Sequence, residues 1–252
     1  MRQGEVVIEQ FTDVDTKEGP IETFICHPER RGPWPAVIFF MDAPGVREEL
    51  HDMARRIATV GYYVILPNLY YRQGRGITLP PDCTVEGSAA FKRMFELMGT
   101  LSNALIAKDT GILLNFLQSQ PAARKERVGA LGYCMSGPFA VTAAAHYPDR
   151  IGAAASYHGV FLATDKPDSP HLLADKIRCE TYLAFGEKDH LTPPAQIETV
   201  RAAFEKAGAK FEIEIYPGAG HGFVFPGRAN YVKAAAERHW ERLFELFGRN
   251  LQ

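Results

Sequence analysis

Gly132-Tyr133-Cys134-Met135-Ser136-Gly137 joins a strand to a helix through a run of small residues around one cysteine. Residues 127–132, Arg-Val-Gly-Ala-Leu-Gly, lead into it with β character, and the Ala-rich residues 136–146 leave it as a helix. A reactive side chain between a strand and a helix, with small residues two positions away on each side, is the pattern of a nucleophile elbow. The turn is so sharp that a bulky Cβ substituent at either outer position would collide with the backbone. Gly132 and Ser136 hold those positions, and the apex is a thiol. The same stretch also fits a buried structural cysteine ahead of a helix, so the surrounding chain has to separate the two.

Working outward, strands alternate with helices. Residues 36–41 (Ala-Val-Ile-Phe-Phe-Met) are a continuous apolar run of strand length, as in a strand covered on both faces. Residues 47–60 have helical periodicity, with Leu50, Met53, Ala54, Ile57 and Ala58 on one stripe, and residues 62–66 form the next strand. Helices are expected over 91–98, 103–118, 194–207 and 231–247, and strands over 151–157, 180–185 and 211–216. Ahead of them, residues 5–11 and 21–27 alternate in polarity around the turn Lys17-Glu18-Gly19-Pro20, which predicts an N-terminal β-hairpin. No repeat or linker divides the chain. The expected architecture is α/β, one domain over residues 1–252, with a mostly parallel central sheet and helices on both faces.

Composition narrows the function classes. The net charge of −2 over 252 residues gives no footprint for nucleic acid or an anionic membrane. No apolar window is long enough to span a bilayer. Residues 1–5 lead into no apolar leader. Cys26, Cys83, Cys134 and Cys179 are too widely spaced for a zinc site or a dithiol motif, and a chain of this length does not need disulfides. A cytoplasmic protein with reduced thiols, no metal and no cofactor is expected, as a monomer or homodimer.

In a parallel sheet, reactive groups gather beyond the C-terminal ends of the strands. Asp42 follows the strand 36–41, Cys134 the strand 127–132, Asp189 the strand 180–185, and His221 the strand 211–216. Nucleophile, acid and histidine then come in the chain order of α/β-hydrolases. Glu187 is a rival acid and Ser136 a rival nucleophile, although Pro138 would occupy an outer position of an elbow centred on Ser136. His158 follows the strand 151–157 and is expected either to line the pocket or to be a satisfied structural histidine; Tyr71 and Phe223 are expected as pocket wall or as core.

Four segments together resemble the dienelactone hydrolases of the α/β-hydrolase superfamily. They are the cysteine elbow 132–137, the acid turn Gly186-Glu187-Lys188-Asp189, the histidine loop Gly218-Ala219-Gly220-His221-Gly222-Phe223, and the segment Asn68-Leu69-Tyr70-Tyr71-Arg72. The resemblance implies an α/β-hydrolase fold and hydrolysis of a small ester or lactone substrate. Cys134 would attack as a thiolate, of which a free thiol of pKa near 8.5 supplies little at neutral pH. A helix N-terminus favours its charge. His221 would move the proton and Asp189 would orient it. Backbone N–H groups of Met135 and of Ala43 or Asp42 would hold the oxyanion, and Arg72 would bind a substrate carboxylate. Two positions depart from the family pattern: Asp42 stands where a glutamate assists the thiol, and Ala219-Gly220 stands where a second arginine is expected. A non-catalytic or redox-responsive binding protein on the same fold, and a thioesterase or transacylase, are the alternatives.

Overall fold

β1 (Val7–Val14) and β2 (Ile21–Pro28) pair antiparallel, from Val7 opposite Pro28 to Val14 opposite Ile21. Their turn is closed by Thr16, whose hydroxyl donates to the Gly19 carbonyl at 2.6 Å and accepts the Glu18 N–H at 3.0 Å. The computed structural model describes residues 6–251; Glu5, expected in the first strand, and the other N-terminal residues discussed above lie outside them. The hairpin is therefore as the alternation predicts, with its first strand running three residues past Phe11.

Two compact units divide the chain, Met1–Val128 and Gly129–Gln252. In the first, β3 (Trp34–Phe40) and β4 (Tyr63–Pro67) pair parallel, and β4 pairs antiparallel with β2, giving the order β1-β2-β4-β3. The crossover between β3 and β4 is α1 (Glu48–Thr59), which buries the five stripe residues named from its periodicity. Glu48 and Glu49 in its first turn complement the helix dipole. α2 (Ala89–Met98) and α3 (Asn103–Gln118) are each capped by a serine. The Ser88 and Ser102 hydroxyls accept the N–H groups of Phe91 and Leu105, at 2.9 and 3.2 Å.

β5 (Ala123–Tyr133) takes the chain from the first unit into the second. It starts four residues earlier than its apolar signal, because Arg124, Lys125 and Glu126 stand at its partly exposed end. The second unit orders its strands β5-β6-β7-β8, with β6 (Ile151–Tyr157), β7 (Glu180–Gly186) and β8 (Phe211–Tyr216) parallel. α4 (Gly137–His146) is apolar around its circumference and buried from Gly137 through Ala145. The small side chains of β6 let it approach closely. A Cβ on Gly137 would lie 2.4 Å from Ser156 Oγ and 2.5 Å from Gly159 Cα.

Neighbouring residues on a strand face opposite sides of the sheet. Ser156 meets the start of α4, whereas the Tyr157 hydroxyl donates to the His239 carbonyl of α6 (Lys233–Asn250) at 3.1 Å. Helices thus cover both faces of this sheet. α5 (Pro194–Lys206) links β7 to β8.

Candidate active site

Cys134 sits just past the end of β5, with φ of +54°, as the first residue of a single 3-10 turn that opens into α4. The left-handed region costs a non-glycine residue about 1–3 kcal/mol and is kept only where the surroundings enforce it. Gly132 is one enforcer: a Cβ there would lie 1.9 Å from the Ser136 carbonyl oxygen. Ser136 is another. Its buried hydroxyl accepts the Tyr133 N–H at 2.9 Å and donates to the Tyr133 carbonyl at 3.0 Å. This side chain builds the turn, which removes it as a rival nucleophile. The Cys134 carbonyl accepts the Val160 N–H at 3.1 Å, so the loop after β6 also holds the apex.

The turn after β7 is wound by the Asp189 N–H donating to the Gly186 carbonyl at 3.1 Å. One carboxylate oxygen of Asp189, Oδ1, accepts the Leu191 N–H at 3.0 Å. The other, Oδ2, lies 2.8 Å from His221 Nδ1. Asp189 is buried and makes no cap to α5, which starts at Pro194 without a side-chain cap. Glu187 plays a different part. Its carboxylate accepts the Gly218 N–H at 2.7 Å and ties down the start of the histidine loop. The two loops lie so close that a Cβ on Gly186 would come within 2.5 Å of the Ala219 carbonyl oxygen.

From there the line continues to sulfur, with His221 Nε2 3.1 Å from Cys134 Sγ. Burial pushes the His221 imidazole toward its neutral form. The negative charge of Cys134 and the hydrogen bonds to Asp189 and Cys134 outweigh that and raise its pKa to about 10. Gly220, one of the two positions where an arginine is expected, faces the exposed Asn230 side chain: a Cβ on Gly220 would lie 3.2 Å from Asn230 Cγ, and Asn230 Nδ2 donates to the His221 carbonyl at 3.2 Å.

His158 and Phe223 stand behind this line. Both are fully buried. The His158 ring lies 4.9 Å from the His221 ring, with the planes at 72°, and 5.6 Å from Phe223, which stacks on Tyr216 at 4.8 Å. They support the histidine from behind. His190 is exposed. A residue with no sequence signal also appears here: Tyr133, next to Cys134, has its hydroxyl 2.6 Å from His239 Nε2 in α6. His239 Nδ1 lies 3.1 Å from the Ala236 carbonyl, so the Tyr133 hydroxyl is the donor.

The remaining expected site residues, Asp42, Ala43, Tyr71 and Arg72, belong to the first unit, and there the charges answer one another. Asp42 is buried and bound by Arg47 through both carboxylate oxygens, one contact being Nη2 to Oδ2 at 3.1 Å. Arg47 also donates to Glu49 at 2.7 Å. Its position just ahead of α1 gave no hint of this role. The Ala43 carbonyl accepts the Tyr70 hydroxyl at 2.8 Å. The Arg72 guanidinium donates to Asp109 at 2.7 and 2.8 Å and to Glu18 at 2.8 and 3.0 Å, and lies over the Tyr71 ring. The Tyr71 hydroxyl donates to Asp109 as well, at 3.0 Å. A substrate carboxylate at Arg72 would compete with two internal ones.

Among the described residues no group of His, Cys, Asp and Glu is arranged to hold a metal, and no helix is long and apolar enough to cross a membrane. Residues 21–251 match the model of the dienelactone hydrolase family. The chain is 32% identical to a candidate carboxymethylenebutenolidase of Synechocystis sp. over 92% of its length and 93% of that protein's. It is 31% identical to one from Escherichia coli (strain K12), over 96% and 88%. Among solved structures, a candidate dienelactone hydrolase from Klebsiella pneumoniae superposes with a TM-score of 0.85 at 27% identity, over 97% of this chain and 99% of that one. The dienelactone hydrolase of Anabaena variabilis, at 17% identity, has the same fold with a TM-score of 0.68, over 98% and 99%.

Proposed function

For this chain, which belongs to the dienelactone hydrolase family and is an ester or lactone hydrolase with the α/β-hydrolase fold, we propose catalysis by Cys134, His221 and Asp189 through an acyl-enzyme thioester. The observation that carries this is the unbroken line Asp189 Oδ2, His221 Nδ1, His221 Nε2, Cys134 Sγ, with separations of 2.8 and 3.1 Å.

The sulfur attacks the substrate carbonyl carbon as a thiolate paired with the His221 cation. The Met135 N–H, first in the turn after the apex, holds the oxyanion. As the tetrahedral adduct collapses, the ester C–O bond breaks and the leaving oxygen takes the proton from His221 Nε2. The neutral imidazole then accepts a proton from water as that water attacks the thioester. The acid leaves, and thiolate and cation are restored. Asp189 keeps its hydrogen bond to Nδ1 throughout and fixes the tautomer.

Thiolate is a good leaving group, so the first adduct goes forward when the substrate's own leaving oxygen is at least as good, as in enol lactones and aryl esters. The internally paired Arg72 and the absence of an arginine at position 220 favour neutral substrates over dicarboxylates. We take the match over residues 21–251 to describe one functional domain, working where thiols stay reduced, in the cytoplasm. Mass spectrometry of protein quenched during turnover of p-nitrophenyl acetate tests the mechanism. An acetyl adduct is expected on Cys134 and absent from Cys134→Ala. Full turnover by that variant eliminates the thiol mechanism.

A further inference from the structure

His158 is an expensive residue where it stands. Its side chain is completely buried, neither ring nitrogen has a hydrogen-bond partner, and its backbone is held at φ of +40°. Its backbone N–H donates to the Ala184 carbonyl at 2.7 Å, which fixes the ring's place. Around the ring stand Tyr133, Phe223 and Phe225, with centroids 5.6–5.8 Å away, and His221 at 4.9 Å. A phenylalanine would pack in such an aromatic cage without burying two unpaired polar atoms. The nitrogens therefore need a reason, and the nearest polar ring is His221.

We propose that His158 is a positioning residue whose buried imidazole turns the lone-pair end of its dipole toward the His221 ring and stabilises its cation. This rests on the mechanism proposed above, in which His221 is protonated when the sulfur attacks. The surroundings keep it neutral: burial, followed by the charges of His221 and Arg228, holds its pKa well below the usual histidine value against an opposing interaction with its own backbone. The groups acting on His221 itself are Asp189 and Cys134 in line with its nitrogens and His158 across its ring.

The test is the titration of His221, followed by NMR of its ring nitrogens in the whole chain, with the pH–rate profile beside it. His158→Phe keeps the packing and removes the dipole; His158→Leu is the smaller variant should phenylalanine crowd the cage. In either variant the His221 midpoint, near 10 in the wild type, is expected to fall by about one pH unit, a tenfold loss of proton affinity. The basic limb of the rate profile should move down with it. Thermal stability of His158→Phe should equal or exceed wild type, because the orphan polar atoms are gone. A His221 midpoint unchanged in both variants overturns the proposal and leaves His158 as packing. The readout is independent of the nucleophile assignment, which fails separately if Cys134→Ala retains turnover.

Discussion

The two units treat charge differently. In the second, Asp189, His221 and Cys134 form a chain of hydrogen bonds that ends at a partly exposed sulfur. In the first, charged groups close on each other: Asp42 with Arg47 and Glu49, Arg72 with Asp109 and Glu18. A relay that ends in an open atom can react with something from outside. A closed ring of ion pairs has its donors and acceptors already occupied and mainly holds loops in place. The comparison predicts that substitutions in the second unit's line reduce activity, and that those in the first unit's rings reduce stability.

The largest effect belongs to Cys134→Ala, for which a loss of at least about 10³-fold in kcat is expected because the proposed covalent step is lost with its sulfur. Asp189→Asn comes next, at about 10²–10⁴-fold, since an amide in place of the carboxylate lets the imidazole flip to the wrong tautomer and no longer supports its cation. In that variant the His221 midpoint should also fall from about 10, because one of the interactions that raise it is gone. Steady-state kinetics with NMR titration checks both. An Asp189→Asn enzyme with near wild-type kcat would break the relay picture.

Much of the second unit could be read in the sequence, and physics explains why. The elbow, the acid turn and the histidine loop are local: each is a few consecutive residues whose glycines and polar side chains are dictated by one tight turn. Gly132 is required by a contact with Ser136, four residues on. The five buried residues of α1 and the limits of α3 follow from periodicity in the same way. What could not be read are pairings made by distant segments. Asp109 reaches Arg72 across 37 residues and His239 reaches Tyr133 across 106, and neither leaves a local mark. An arginine in a polar loop looks the same whether it waits for a ligand or already holds a buried aspartate. That is why Arg72 is expected to bind substrate from its motif yet is found bound to the protein.

Arg72→Ala separates the two roles. If the comparison is right, kcat/KM for neutral esters changes by less than about threefold, and esters carrying a carboxylate lose no more than neutral ones. Stability falls by about 2–3 kcal/mol in urea denaturation, because Asp109, about 1% exposed, keeps the Tyr71 hydroxyl but loses its charge partner. A selective loss of carboxylate substrates with unchanged stability would return Arg72 to the binding site and undo the contrast.

The smallest effect comes from a closed ring inside the second unit, which asks whether pairing or location governs the outcome. Glu180 on β7 accepts from Arg249 at 3.1 Å and from Asn250 at 2.9 Å, both at the end of α6, and Lys210 lies 2.8 Å away. Arg249 above all holds the Glu180 pKa down, to about 2 from an ordinary value of 4.5, against the opposing effect of burial. A carboxylate with a lowered native pKa stabilises the fold fully above its unfolded value and loses that contribution as pH falls through the native one. Glu180→Gln should therefore cost about 1–2 kcal/mol at pH 7, discounted because Arg249 and Lys210 are largely exposed. The gap to wild type should narrow as pH drops below about 4.5 and close near 2, while turnover at neutral pH is retained. A gap that stays constant with pH would mean that glutamine disturbs packing rather than charge. A large loss of turnover would show that even a closed ring in this unit is coupled to the reacting line, and the contrast would then lie between the units themselves rather than between open and closed charge.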